Sequence, residues 1–295
     1  MKTDNIIKLD LWGGHQTYNI QDKTYSINRN CGVFSNITIS MYAILKLYSD
    51  NFDVYNIELI LNEYIDDITN IHSQLFNSPN ISNLKLKEYS ESDINYSLRY
   101  GEASYLGLGR DQTHLILDLY NNIFNTYFNY NQHIHDIANN IILKNNISYD
   151  NSVFIWARGT DKITETSIPK IEKYLKILKD KNLLKHNIFV QTDDAGIAQN
   201  FKDYNISNLH ILYEIPFSNS DKGFHNNLNN ISDHLFLETY NIDKITYIKT
   251  LLALTIIASR CKYYISYPGN LSTVIPIIKN TFNNCFCFKN DTDLL

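Results

Sequence analysis

SVFIWARGTDKITE (Ser152–Glu165) and NIFVQTDD (Asn187–Asp194) sit on either side of an amphipathic segment. Each opens with an apolar run of strand length and ends in charge. The first ends in Arg158, Asp161, Lys162 and Glu165, and the second in Asp193 and Asp194. This spacing predicts a βαβ unit whose polar residues gather at strand C-termini. In open parallel sheets, ligands bind in the crevice outside those ends.

The pattern continues downstream of the boundary expected in the asparagine-rich run Lys144–Asn151. Strand Val153–Ala157 precedes helix Ile168–Lys181, and strand Ile188–Gln191 precedes helix Ala195–Tyr204. Strand Leu209–Tyr213 leads into a Ser/Asn/Gly-rich loop. Helix Ile242–Arg260, strand Tyr263–Ser266, helix Leu271–Lys279 and strand Cys285–Phe288 follow. Alternation of this kind argues for a doubly wound parallel sheet.

Upstream, Ile6–Trp12 reads as a strand closed by Gly13-Gly14, and Ile37–Tyr48 has helical spacing of apolar residues. Between them lies Asn30-Cys-Gly-Val-Phe-Ser-Asn36. Gly32 and Asn36 there have two readings. One is a glycine loop that offers helix N-terminal N–H groups to a phosphate or sugar. The other is an ordinary capping loop with Ser35 or Asn36 as the cap. Asp53–Leu61 reads as a strand or a strand-to-helix junction. Gly101, Gly107 and Gly109 lack a preceding strand and the full dinucleotide spacing, so they read as a turn between helices. Leu115–Tyr130 and His133–Leu143 read as helices. His133 and His135 point to different sides of the second helix and make no metal pair.

Composition sets the bounds. The chain has 295 residues, 44% hydrophobic and 13% aromatic, enough for two domains with substantial cores. A formal net charge of −5 argues against a nucleic-acid-coating role. Cys31, Cys261, Cys285 and Cys287 lack zinc-type spacing and read as reduced core residues. No stretch has signal-peptide or membrane-spanning character, so the expectation is a soluble, cytoplasmic protein. The abundance of Asn, Ile, Tyr and Lys is the bias an AT-rich genome produces.

Arg158 and Lys162 together suit a diphosphate, arginine as a bidentate fork and lysine as a point charge. Carboxylates around them suit a hydroxyl-rich sugar or a base, so the combination describes a nucleotide sugar. The competing reading of Arg-X-X-Asp-Lys is a surface salt-bridge cluster.

These residues also carry a resemblance. SVFIWARGTDKITE resembles the HxRRxDK-type motif of the fucosyltransferase superfamily that includes core α1,6-, nodulation and protein O-fucosyltransferases, and is most similar to the α1,6 branch. Gln191-Thr192-Asp193-Asp194 resembles the family's Ala-Thr-Asp-Asp strand end, and Gly223-Phe224-His225 a Gly/His segment. Ala258–Ser266 followed by Asn270–Thr273 resembles the family's Ser/Asp-rich strand and serine turn. Cys31–Asn36 resembles the loop and helix that open the family's fold.

The resemblance implies a GT-B-like α/β fold of two Rossmann-like domains, 1–147 and 148–295, with parallel sheets facing a central cleft. It implies a metal-independent, inverting transfer of fucose from GDP-fucose to a glycan hydroxyl, with no cofactor. Arg158 and Lys162 would bind the pyrophosphate, with Glu165 as general base ahead of Asp161 and Glu102. Gly32, Asn36, Asp161, Thr192, Asp193, Asp194, His225, Ser272 and Thr273 would contact the donor. The sequence departs from the motif at Trp156, where the family has histidine, and at Gly159, where it has a second arginine. The acid associated with guanine is absent near Leu252–Leu254. A non-catalytic nucleotide-sugar- or carbohydrate-binding protein with a decayed site is the rival reading. An NAD- or SAM-dependent enzyme lacks its glycine fingerprint.

Overall fold

The computed structural model describes residues 6–9, 16–27, 33–55, 57–61, 70–103, 113–159, 170–217, 232–267, 269–289 and 293–294. They form two compact units, Met1–Asn131 and Gln132–Leu295. The division falls ahead of the expected 147/148 boundary because α5 (Gln132–Asn145) packs on a helix of the second unit, α9 (Lys244–Arg260). The chain is α/β, as expected, and GT-B-like in having two successive α/β units. Among the described residues no helix is long and apolar enough to cross a membrane.

The second unit contains a six-stranded sheet. Its strands are β5 (Ser152–Trp156), β6 (Asn187–Gln191), β7 (Leu209–Ile211), β8 (Tyr263–Ser266), β9 (Cys285–Lys289) and β10 (Asp293–Leu294). They lie in the order β10-β9-β8-β5-β6-β7. Only β10 runs antiparallel to its neighbour. Chain order therefore reverses at β5, with β6 on one side and β8 on the other, which makes the β5/β8 edge the topological switch point. All five residues of β5 are buried. A strand covered on both faces reads as a continuous apolar run, as SVFIW does.

Alternation along the strands separates two cores. Val153 and Ile155 share one face with Ile188, Val190 and Ile265. They pack against Tyr174, Leu175 and Leu178 of α6 (Ile171–Asp180) and Phe201 of α7 (Ala195–Asp203). Phe154, Phe189 and Tyr264 point to the other face and are equally buried. Nearly the whole middle of α9 is buried, from Leu252 to Ala258, so it is a central helix. It packs against α5, α8 (Asp233–Tyr240) and α10 (Asn270–Lys279).

Helix ends explain part of the composition. Among the described residues, seven of the eight non-glycine positions at positive φ are asparagines: Asn51, Asn146, Asn182, Asn205, Asn241, Asn280 and Asn284. Five of them directly follow or closely trail α5, α6, α7, α8 and α10. Asparagine tolerates the left-handed region better than other side-chain-bearing residues. The asparagine bias thus supplies the C-terminal helix stops that glycine, with ten copies, would otherwise provide.

The first unit holds a mixed sheet, β1 (Ile6–Leu9), β2 (Gln16–Asn19), β3 (Thr24–Ile27) and β4 (Glu58–Leu61). The β1–β2 and β2–β3 pairs are antiparallel and β3–β4 is parallel. Of the parallel sheet expected in this half, the β3–β4 pair is present, and the β1–β2 and β2–β3 pairs depart from it because short hairpin-type connections join antiparallel strands. The β2–β3 hairpin was not legible, because its Ile20–Lys23 turn has no Asn-Gly or Asp-Gly signature. Its tight bend relies instead on Lys23 at φ 52°.

α1 (Val33–Ser49) begins earlier than its apolar spacing suggested. Val33, Ser35 and Asn36 are buried in its first turn, so Ser35 and Asn36 lie inside the helix rather than capping it. α3 (Glu91–Ala103) includes Gly101, which is helical and not part of a turn. α4 (Thr113–Tyr127) follows. Gly13-Gly14, Gly107 and Gly109 lie outside the described residues.

His72, in the short helix α2 (His72–Leu75), sits among Phe76 and Phe128. Its Nε2 donates to the Tyr127 carbonyl at 2.7 Å. Burial pushes its pKa from 6.5 down to about 4, and the hydrogen bond offsets only part of that. The folded state therefore holds His72 neutral where the unfolded chain protonates it. Its contribution is complete above the unfolded-state value and is lost as pH falls from 6.5 through about 4. Relative to His72→Gln, wild-type stability should drop by ~3 kcal/mol across that window. Urea unfolding curves at stepped pH measure this, and parallel stability profiles for the two proteins would contradict it.

Candidate functional site

The parallel strands of the second unit end together. Register pairs Trp156 with Gln191 on one side and with Ser266 on the other. The ladder continues one bond further, from Ala157 N to Gln191 O at 2.9 Å. Arg158, Asp193 and Tyr267 each lie one or two residues beyond that row, so they meet at its edge. Arg158 Nε stands 3.6 Å from Asp193 Oδ2, and Arg158 Nη1 donates to the Tyr267 hydroxyl at 3.4 Å. The arginine side chain is 22% exposed and that of Asp193 12%, so the cation is partly sheltered yet reachable from solvent.

Gly159 ties the two strand ends together. Its N–H donates to Asp193 Oδ1 at 3.3 Å. A Cβ at Gly159 would stand 2.3 Å from Asp194 Oδ2 and 2.7 Å from Asp194 Cβ and Cγ. Where the resembling motif has a second arginine, this chain packs a carboxylate against bare backbone.

Asp194 is committed to structure. It caps α7, its Oδ1 accepting from Ile197 N at 2.9 Å, and its own N–H donates to Thr192 Oγ1 at 3.2 Å. Thr192 is fully buried and holds this turn. Gln191, also fully buried, donates from Nε2 to the Thr192 carbonyl at 2.9 Å.

On the β8 side, Gly269 lies against the Tyr267 ring. A Cβ there would come within 3.0 Å of Tyr267 Cε2. Ser272 closes the start of α10, its Oγ donating to Gly269 O at 2.6 Å and accepting from Gly269 N at 3.3 Å. Thr273 follows, half-buried. α7 and α10 thus both start from this edge of the sheet, each directing the positive end of its dipole there. A guanidinium beside two helix N-termini suits an anion, and the neighbouring carboxylates suit hydroxyl donors.

The expected residues therefore divide into three groups. Arg158, Thr192, Asp193, Asp194, Ser272 and Thr273 gather at the strand-end edge of the second unit. Asn36 lies in the first unit with its side chain buried at 2% exposure. Gly32, Asp161, Lys162, Glu165 and His225 lie outside the described residues. Tyr267 was not anticipated. It directly follows β8, and the switch-point position was the signal for it. Among the described residues, no three His, Cys, Asp or Glu side chains come together to hold a metal.

No protein-family model matches the chain, and no curated protein matches it in sequence. Among solved structures, the crystal structure of NodZ alpha-1,6-fucosyltransferase soaked with GDP-fucose is similar over 88% of this chain and 94% of that one. The TM-score is 0.48 and the sequence identity 10%. A likeness of that size leaves the chemistry to be read from the residues.

The Gly159–Asp194 contact makes a testable coupling. Gly159→Ala should destabilise the protein by about 2 kcal/mol or more, through steric displacement of the capped turn. Asp194→Gly removes all three obstructing atoms and should cost only a few tenths of a kcal/mol as an N-cap replacement. In that background Gly159→Ala should be much better tolerated, a coupling of at least about 1 kcal/mol in a double-mutant cycle. Additive costs would mean the contact does not limit this position.

Proposed function

We propose that this chain is a glycosyltransferase that uses a nucleotide sugar, with GDP-fucose the donor that the sequence resemblance favours. The observation that carries the reading is Arg158, a partly sheltered guanidinium just beyond β5 at the topological switch point, steadied by Asp193 and Tyr267. In this reading the second unit holds the nucleoside diphosphate. An acceptor hydroxyl attacks the anomeric carbon from the face opposite the leaving group. The carbon–oxygen bond to the β-phosphate breaks, and the phosphate departs with the electron pair. Arg158 and Lys162 stabilise the negative charge as it develops, which is where electrostatic assistance lowers a barrier. The acceptor proton passes to Glu165, and the configuration inverts. Two cationic side chains do the work that a divalent metal does elsewhere.

Within the site Asp193 has two tasks. It holds the Arg158 guanidinium and receives the Gly159 N–H, tying down the two residues that follow Ala157. Such preorganisation lowers the cost of orienting the cation in the transition state.

A second reading, a nucleotide-sugar- or carbohydrate-binding protein without turnover, is favoured by Trp156. Its side chain is buried at 5% exposure where the resembling motif has a histidine. That position packs the sheet here and supplies no proton-transfer group.

Thermal-shift titration with GDP, GDP-fucose, UDP, CMP and ADP, with and without magnesium, separates these readings when combined with a donor-turnover assay. Stabilisation by GDP and GDP-fucose should reach about 2.7 kcal/mol at a hundredfold excess over Kd and should not depend on magnesium. Arg158→Ala should abolish that shift while costing the unliganded protein only about 1 kcal/mol. Binding without turnover across a panel of glycan acceptors would favour the second reading. A shift specific to UDP, or one that needs magnesium, would overturn the donor.

A further inference from the structure

The first unit carries a pocket that the reading above does not use. It lies beyond the C-terminal end of α1 and has a volume of about 560 Å³, within the range of roughly 300–1,000 Å³ usual for small-ligand sites. Tyr48 and Phe52 line it from the end of α1 and the turn that follows. Asp53 and Tyr55 line it from the segment leading to β4, and Tyr89 and Glu91 from the start of α3. All four rings are half-buried, so each is anchored in the unit and still meets solvent.

The walls are held in place. Tyr48 and Tyr55 meet edge to face, with centroids 6.4 Å apart and planes at 76°. Phe52 meets Tyr18 in the same way at 5.8 Å. The turn at Asn51 is left-handed, and Phe52 N donates to Leu47 O at 2.9 Å. Asp53 Oδ1 accepts from Tyr55 N at 3.1 Å. Burial raises the pKa values of the Tyr55 and Tyr89 hydroxyls.

Among the described residues the pocket lining carries two carboxylates, Asp53 and Glu91, and no cationic side chain. Asp53 Oδ2 pairs with Lys23 Nζ at 2.6 Å. The Lys87 ammonium lies 5.0 Å from the centre of the Tyr55 ring, where a cationic ligand would otherwise seek an aromatic face. Glu91 also lines the pocket and has no ion pair among the described residues. An anion would meet two carboxylates, and a cation would find Asp53 already paired with Lys23 and the Tyr55 ring already faced by Lys87. The remaining match is an uncharged molecule with apolar ring faces and many hydroxyls. Aromatic side chains that are apolar in body and polar at the tip suit such a molecule, and carboxylates make strong acceptors for its hydroxyls.

We infer that this pocket binds a neutral saccharide, with a sugar ring against the tyrosine faces and its hydroxyls on Asp53 and Glu91. The inference rests on the first unit alone and is independent of the donor reading.

Ligand-observed NMR on the full chain tests it. The probes are the methyl glycosides of glucose, galactose and N-acetylglucosamine, with tetramethylammonium and inorganic phosphate as charged controls. At least one methyl glycoside should bind, and neither control should. Tyr89→Ala should weaken that binding about tenfold, the scale of one lost packing or charged hydrogen-bonding partner. Glu91→Ala, at an exposed helix start, should weaken it several-fold without altering the fold. Arg158→Ala should leave it unchanged. Absence of binding by every methyl glycoside would overturn the inference, as would preferential binding of a charged control. So would saccharide binding that is insensitive to both pocket variants or lost in Arg158→Ala. None of these outcomes alters the nucleotide titration of the second unit.

Discussion

Burial of β5 on both faces is the constraint on which the second unit depends. A strand with no solvent-facing side must be apolar along its whole length, and its backbone groups must find partners on both edges. β6 and β8 supply those partners in parallel register. Parallel register brings three strand ends to one line, and the polar residues that follow them emerge side by side. Arg158, Asp193 and Tyr267 meet because the ladder stops there. The site is thus a consequence of the core.

That edge is crowded, and the crowding decides which residues it tolerates. Gly159 has no room for a side chain because Asp194 occupies the space. Asp194 is there because α7 needs a cap and the βα turn is short. One carboxylate therefore serves the helix while its neighbour, Asp193, serves the arginine. The adjacent acids look equivalent as sequence and are not equivalent as structure. Ser272 is similar: its hydroxyl is spent on the Gly269 turn that starts α10.

The first unit solves a different packing problem. α1 is buried through most of its circumference, so it is the helix around which that unit forms. Its aromatic residues fall into two environments. One is the enclosed cluster of His72, Phe76, Phe124 and Phe128, where exclusion of water holds the imidazole neutral. The other is the half-open set at the end of α1, where rings stabilise a pocket wall and still meet solvent. The difference between a core and a binding surface here is one of closure, since the residue types are shared.

Strands and helices of the second unit were legible because their apolar patterns are long and uninterrupted. A residue buried on every side has few alternatives, and SVFIW, NIFVQ and the α9 run declare themselves. The expectation that ligand-facing groups follow β5 and β6 also came from sequence, through the rule that parallel strands present their C-terminal ends. The β2–β3 hairpin, the early start of α1 and the affiliation of α5 were not legible. A short hairpin lacks a strong turn signal, and a helix's partner is a matter of long-range packing.

Local pattern therefore determined the α/β character, the polar strand ends and the residue types of the site. Tertiary structure alone decided the strand order, the meeting of Tyr267 with Arg158, the closed space at Gly159 and the separate duties of Asp193 and Asp194. Periodicity records whether a residue is inside or outside, which a chain carries locally. Which inside residues touch depends on how distant strands pair, and that is settled only when the whole core closes.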